Sequence, residues 1–373
     1  MTTQTTDPDP GLERPFNGEA LVGRLFEQTL GAFELFNVYI GERLGLYRAL
    51  AADGSATSEQ LAGSAGIGPR YAREWLEQQT TAGILEVEDP TAEAELRRYS
   101  LPLEHREPLL DEDSLSYGAF MPRYIVSVGG VMPALLDAFR TGGGVPWDRY
   151  GDDMRQAQAA ANRPLFLSVV GQEWLSSIPD IHRRLAAGPP ARVADLGCGE
   201  GWLSIGLATA YPMIRVVGLD ADPASIEAAR RHASGSDVSD RVSFVLGDAA
   251  GLGTGEPFDL VLIFEVLHDL SRPVEVLRAA RDLLSPEGAV IVVDERTADA
   301  FTGTALDNPI ERFLYSVSTT ICLPNSLAEQ PSAATGTVIR SSTVDRFSRE
   351  AGFASTDILP IEHDIFRVYR LNP

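Results

Sequence analysis

Cysteine is almost missing from this 373-residue chain. Cys198 and Cys322 alone give no disulfide framework, and such usage fits a reducing cytoplasm. Positive charge is also scarce: 31 Lys and Arg face 53 Asp and Glu, a formal net charge of −22. Nucleic-acid binding needs a cationic face for phosphates, so this balance argues against DNA or RNA as a partner. Most of the surplus acid is expected to solvate the surface. No apolar run approaches the roughly 20 residues of a membrane-spanning helix, and no secretory leader is expected at the start. Only five histidines occur, and none joins Cys or Asp at metal-ligand spacing, so no metal is expected. What is left is an ordinary apolar content in a chain long enough for one to three domains with a sizeable core.

Glycine, by contrast, is concentrated where it carries information. Val193-Ala194-Asp195-Leu196-Gly197-Cys198-Gly199-Glu200-Gly201 reads as a short buried strand, an acid, three alternating glycines and then a helix from near Trp202. Glycines without a Cβ let backbone pass close to a bound ligand. Cys198, inside this loop, reads as a small filler. A second strand, Ile214–Asp220, ends in an acid about 20 residues past the glycines, the distance at which an acid meets ribose hydroxyls. Val242–Leu246 forms a third and leads into Gly247-Asp248-Ala249. Phe258–Phe264 forms a fourth, followed by Glu265-Val266-Leu267-His268-Asp269. Ala289–Asp294 forms a fifth, after a Pro286-Glu287-Gly288 turn. Helical stretches between the strands predict an α/β, doubly wound parallel sheet.

At this point the chain resembles the class I S-adenosylmethionine-dependent methyltransferases over about residues 190–300. Asp195 to Gly201 is similar to their first motif, Gly218-Leu219-Asp220 to their ribose-binding acid, and Gly247-Asp248-Ala249 to their adenine-binding turn. The spacing Gly-x-Gly-x-Gly departs from the Gly-x-Gly-x-x-Gly of a nicotinamide Rossmann domain, the alternative. The resemblance implies a Rossmann-like, mostly parallel seven-stranded sheet closed by an antiparallel C-terminal hairpin, and S-adenosyl-L-methionine as cofactor. It implies that Asp195, Gly197 and Gly199 face the amino-acid part of the cofactor, Asp220 the ribose diol, and Asp248 with Ala249 the adenine edge. Ala221 and Phe264 complete the expected cofactor contacts.

The N-terminal half divides into a disordered tail (1–16), a winged-helix and dimerisation domain (17–101) and a helical linker and pocket wall (102–187), ahead of the methyltransferase domain (188–373). One long apolar helix is expected from about Glu19 to Ala51, a capping box at Thr57 and Gln60, and a helix over Arg70–Thr81. Ile84–Val87 and Arg98–Leu101 pair as a wing, and together these resemble a winged helix. A DNA-reading role is opposed by Glu74 and Glu77 beside Arg70 and Arg73. Glu86, Glu88, Asp89, Glu93 and Glu95 likewise outnumber Arg97 and Arg98 on the wing. Small-molecule O-methyltransferases carry a similar module for dimerisation, and the whole chain resembles an actinobacterial group of winged-helix methyltransferases often described as regulators. A homodimer is therefore expected. A helix over Asn162–Ser177 supplies pocket candidates Phe166, Gln172, Glu173 and Trp174. An irregular insertion over residues 300–340 is expected to be a lid that offers Phe313 and Tyr315.

Methyl transfer to a hydroxyl requires alignment and removal of a proton. Val266-Leu267-His268-Asp269 resembles the Leu-His-Asp-Trp run of plant-type O-methyltransferases, with Leu270 in place of the tryptophan. By that resemblance His268 is the general base, Asp294 orients it, and Glu295 is the fallback. The expected activity is methyl transfer to a small-molecule acceptor, with a cofactor-sensing regulator or an N- or C-methyltransferase as alternatives.

Overall fold

A computed structural model describes residues 17–248 and 255–373. Ala249 and the 1–16 tail lie outside the described residues, as does most of the connection between the third and fourth strands of the main sheet. The chain forms two compact units, divided after Leu110.

The first unit begins with a helix over Gly18–Arg43 and a second over Leu46–Asp53. The single helix expected to run to Ala51 is interrupted because Gly45 takes a left-handed φ of 68°. Helices Ser58–Ala65 and Pro69–Thr81 follow. Thr57 and Gln60 form the reciprocal capping box, with Oγ1 accepting from the Gln60 N–H at 3.3 Å and Oε1 accepting from the Thr57 N–H at 2.9 Å. The wing is β1 (Glu86–Val87) against β2 (Tyr99–Ser100), antiparallel. Helix Leu103–Leu110 belongs to this unit too, because Leu109 and Leu110 pack on its core. That core gathers Leu46, Tyr47, Leu50, Leu61, Trp75, Leu76 and Tyr99. Gly41 is needed there, since a Cβ on it would lie 2.5 Å from the Trp75 ring. Each arginine in the recognition position or wing is paired with an acid. Arg70 pairs with Glu74, Arg73 with Glu95, Arg97 with Glu77 and Arg98 with Glu88.

The second unit holds the main sheet: β3 (Ala191–Leu196), β4 (Ile214–Asp220), β5 (Val242–Leu246), β6 (Phe258–Phe264), β7 (Leu284–Glu295), β8 (Ser355–Ile358) and β9 (Phe366–Asn372). Their order is β5-β4-β3-β6-β7-β9-β8. The first five are parallel, and β9 runs antiparallel to both neighbours. This is the mostly parallel seven-stranded sheet with an antiparallel C-terminal hairpin. Strands covered on both faces read as continuous apolar runs, as in Leu260 to Phe264, all buried. Strand order reverses between β3 and β6, and ligands bind at the carboxyl edge beside such a switch point.

Two helical segments differ from expectation. The helix expected over Asn162–Ser177 starts at Gly151, and from Phe166 to Trp174 it widens to π winding. The widened turns lie against helix Trp202–Ala210, where a Cβ on Gly206 would be 2.1 Å from the Phe166 carbonyl oxygen. The 300–340 insertion is helical in its middle, with Pro309–Val317, a π-wound Ser318–Cys322 and Leu323–Ser326 in series. Ile321 and Cys322 pack into a core with Val131, Leu135, Tyr150 and Met154, and the Tyr150 hydroxyl donates to the Thr320 carbonyl at 2.8 Å. Part of its apolar face is thereby set against helix Met121–Thr141, while Phe301, Leu306 and Phe313 stay exposed.

Candidate active site

The loop after β3 turns through three left-handed glycines, with φ of 76° at Gly197, 50° at Gly199 and 83° at Gly201. Two of them are also held by contact. A Cβ on Gly197 would lie 2.4 Å from Val266, and one on Gly201 2.6 Å from Phe244. At Gly199 a Cβ would meet nothing within 4 Å, so the loop backbone faces open space there. The loop is tied to β4 by the Gly197 and Cys198 N–H groups, which donate to the Leu219 carbonyl at 2.8 and 3.0 Å. Asp220, at the end of β4, accepts from the Gly199 N–H at 2.8 Å and from the Asp222 N–H at 2.8 Å. Burial pushes its carboxyl above the ordinary range. Each oxygen keeps a lone pair free to accept from a ligand hydroxyl.

Asp195 sits beneath this loop rather than on its surface. It is 1% exposed, accepts from the Ser204 hydroxyl at 2.7 Å, and burial pushes it up to about 7. Ala221 is exposed beside Asp220. Asp248 is exposed at the end of β5, 3.8 Å from Arg272. These residues converge on the carboxyl edge. Phe264 does not join them at the surface: its ring is 5% exposed and packed among Phe166 at 4.7 Å, Phe366 at 5.2 Å and Trp174 at 6.1 Å. Phe166 and Trp174 are thereby core contacts of the π-wound segment. Gln172 and Glu173 point to solvent on its other side. Phe313 is exposed, and Tyr315 lies edge-on to Phe301.

His268 is 2% exposed. Its Nδ1 lies 2.7 Å from Asp294 Oδ1 and 2.9 Å from Glu295 Oε2, and its Nε2 lies 3.3 Å from Asp269 Oδ1. Burial alone would lower its pKa, but Glu295, Asp294 and Asp269 together hold it well above the ordinary imidazole value. The same charge draws Asp294 below the usual carboxylate range against the effect of burial. His268 is thus brought against Asp294, with Glu295 and Asp269 as its other neighbours. Cys322 closes the same cluster with His268 and Asp269, their ligand atoms within 4.8 Å of one another although far apart along the chain.

A residue without an assigned role in the sequence lies at this edge. Glu265 follows β6 at a φ of 57°, half-buried, and its Oε2 accepts from Asn162 Nδ2 at 2.6 Å. Burial pushes its carboxyl up to about 7. The available signal was an apolar strand ended by an acid next to the glycine loop.

Comparison with known proteins follows this geometry. Residues 189–335 match the family model of a methyltransferase domain, and residues 32–110 match that of the Rv2258c-like winged helix-turn-helix domain. Trans-aconitate 2-methyltransferase of Streptomyces avermitilis is 31% identical over 118 residues, 32% of this chain and 42% of that protein. The chain thus spans about two-fifths of the length of such relatives. The 3-amino-4-hydroxybenzoate 4-O-methyltransferase of Streptomyces cremeus is 26% identical over 289 residues, 76% of each chain. The solved mitomycin 7-O-methyltransferase shares the fold, with a TM-score of 0.68 at 20% identity over 95% of this chain and 98% of the other. Residues 189–335 thus form a methyltransferase domain. In this chain that domain is fused to an N-terminal winged-helix domain, an arrangement that resembles small-molecule O-methyltransferases.

Proposed function

We propose that this protein transfers a methyl group from S-adenosyl-L-methionine to a small-molecule acceptor, with a hydroxyl as the favoured acceptor. One observation carries the reading: a left-handed triple-glycine loop stands beside Asp220 at the switch point of the sheet. The residues fit the cofactor by their donor chemistry. The Gly197–Gly201 backbone would hold its amino-acid part, with Asp195 supporting the loop from below. Asp220, beside Ala221, would accept from the ribose hydroxyls, and Asp248 would border the adenine. Once bound, the cofactor supplies a methyl group already activated on a sulfonium. Alignment of the acceptor and removal of its proton are left to the protein. Calorimetry with S-adenosylhomocysteine tests the cofactor reading, and a methyl-transfer screen over phenols, carboxylates and amines tests the acceptor. Absence of S-adenosylhomocysteine binding at millimolar concentration would overturn the proposal.

The first unit is proposed to make a homodimer rather than read DNA. Its first helix exposes Leu21, Leu25, Phe26, Phe33, Phe36 and Ile40, and a groove of about 510 Å³ runs between Ile40, Leu44, Tyr71 and Trp75. An apolar face of this length favours a second protein surface. The pairing of Arg70, Arg73, Arg97 and Arg98 with acids leaves little charge for phosphates. Among the described residues no helix is long and apolar enough to cross a membrane, and two free, buried thiols fit a cytoplasmic setting. Sedimentation of the full chain at twice the monomer mass, and its loss on Phe33→Glu with Phe36→Glu, is the expected result.

A further inference from the structure

We propose that Arg155 is a positioning residue of the cofactor site, acting through Asp222 to hold the Asp220 carboxylate where the ribose hydroxyls would meet it. The inference rests on the methyltransferase reading above and extends its site to a helix that precedes the sheet.

The contacts form a short relay. Asp220 is fixed by two backbone donors, the Gly199 N–H on one oxygen and the Asp222 N–H on the other, each at 2.8 Å. The first donor belongs to the glycine loop. The second belongs to the turn after β4, so the carboxylate is placed only as well as that turn is held. Asp222 holds it by its side chain. Its Oδ2 accepts from the Ser225 N–H at 2.9 Å and from the Ser225 hydroxyl at 2.7 Å, which caps helix Pro223–Ser234. Arg155 grips the same carboxylate as a fork: Nε donates to Oδ2 at 2.7 Å and Nη2 to Oδ1 at 3.0 Å. A planar guanidinium matched to both oxygens fixes direction as well as distance. Both side chains are about nine-tenths buried, so water competes little for the pair. Nη1 turns to Asp152 Oδ1 at 3.1 Å, one turn back on its own helix.

Charge supports the same role. Burial pushes Asp220 up, and the charge of Asp222 two residues away adds to that push. Burial would raise Asp222 as well, yet the bonds from Arg155 and Ser225 hold it below the usual carboxylate range. A guanidinium on Asp222 therefore offsets the charge that would otherwise face Asp220.

The helix that carries Arg155 ties this pin to the rest of the site. Asn162 lies seven residues on, about two turns along the same face, and its Nδ2 donates to Glu265 Oε2 at 2.6 Å. Asp222 follows β4 and Glu265 follows β6, the strands on either side of β3. Seven residues of helix rise about 10 Å, and two strand spacings cover about the same distance. Helix Gly151–Leu165 thus crosses the carboxyl end of β3, where the glycine loop begins, and is pinned on both sides of it. Sequence spacing gives no hint of this, since Arg155 and Asp222 are 67 residues apart.

Arg155→Met removes the fork and keeps most of the apolar stem. Calorimetry with S-adenosylhomocysteine at about 10 °C, on variants whose melting is recorded alongside, reads the effect. Affinity is expected to fall roughly five- to fiftyfold, short of what full loss of the charged acceptor would give. Arg155→Lys keeps the charge without the fork and guards against a methionine variant that fails to fold; roughly a two- to tenfold loss is expected there. Positioning also predicts dependence on Asp220. In the Asp220→Ala background the same substitutions should change affinity by less than about twofold, because the group they position is gone. Equal losses in both backgrounds would overturn the proposal, for Arg155 would then support the domain at large or touch the cofactor itself. So would wild-type affinity in Arg155→Met. Failure of the wild-type protein to bind S-adenosylhomocysteine would defeat the methyltransferase reading itself, and the wild-type titration alone tells that outcome apart.

Discussion

Removal of the buried imidazole distinguishes its two roles directly. His268→Ala deletes the cation set against Asp294, Glu295 and Asp269, at 2.7, 2.9 and 3.3 Å. Asp294 is then left 0% exposed without a counter-charge. Breaking a buried ion pair from one side costs about 3–5 kcal/mol, because the remaining charge stays out of water. At about 2–3 °C per kcal/mol for a unit of this size, the melting temperature at pH 7 should fall by roughly 6–15 °C. The pH dependence follows from the directions of the shifts. The His268 pKa is raised, so its contribution is complete below the unfolded value near 6.5 and fades as pH rises through the folded value. Asp294 is depressed, so its contribution is present above the unfolded value near 3.8 and is lost as pH falls through the lower folded value. Glu295 is raised by burial and works the other way, weakening the fold as pH climbs past 4.5. The gap between wild type and variant should therefore be widest from about pH 5 to 7 and should narrow in strong acid and strong alkali. Thermal unfolding at pH 3, 5, 7 and 10 measures it. A variant that melts within 2 °C of wild type at pH 7 yet loses turnover would refute the argument and leave His268 the role of base alone.

Asp220→Ala should weaken S-adenosylhomocysteine binding by roughly 1–3 kcal/mol through loss of a charged acceptor, and equal calorimetric affinity would remove the ribose assignment. Arg155 donates to Asp222 at 2.7 and 3.0 Å while Asp222 caps helix Pro223–Ser234, with both side chains about nine-tenths buried. Arg155→Ala should cost about 3 kcal/mol in urea unfolding, and a change under 0.5 kcal/mol would mean the pair is solvated. Gly201→Ala meets both a left-handed φ and the Phe244 ring, so a loss of roughly 2–4 kcal/mol is expected, with cofactor affinity falling alongside. Wild-type stability in that variant would show that the loop shifts freely.

The parallel core of the sheet was legible from residues alone. Strands covered on both faces read as near-continuous apolar runs, and Val193–Leu196, Val216–Leu219 and Leu260–Phe264, broken only by Asp195, announce themselves for that reason. Local chemistry was equally plain at Thr57 and Gln60, where a cap needs only residues three apart, and at the glycines, whose φ values no other residue adopts cheaply. Periodicity, however, identifies an apolar face without saying what covers it. Phe166, Trp174 and Phe264 could line a pocket or fill a core, and the packing of Phe366 against Phe264 from β9 puts them in the core. Likewise the 300–340 segment reads as irregular in sequence because its stability comes from contacts with Val131, Leu135 and Tyr150, more than 150 residues away.

What the sequence determined by itself was the class of site: a strand, a glycine loop and an acid at the next strand end carry their spacing along one stretch of chain. What only the tertiary structure decided was the protonation of its neighbours. A histidine after the fourth strand has no fixed charge until Asp294 and Glu295 arrive from β7 and Asp269 folds back beside it. A glutamate one turn earlier has no raised pKa until burial takes its water, against the hydrogen bonds from Asn162 and Gln158 that favour its charge. Charge in a protein interior is a property of distance and desolvation, and neither is written in the order of the residues.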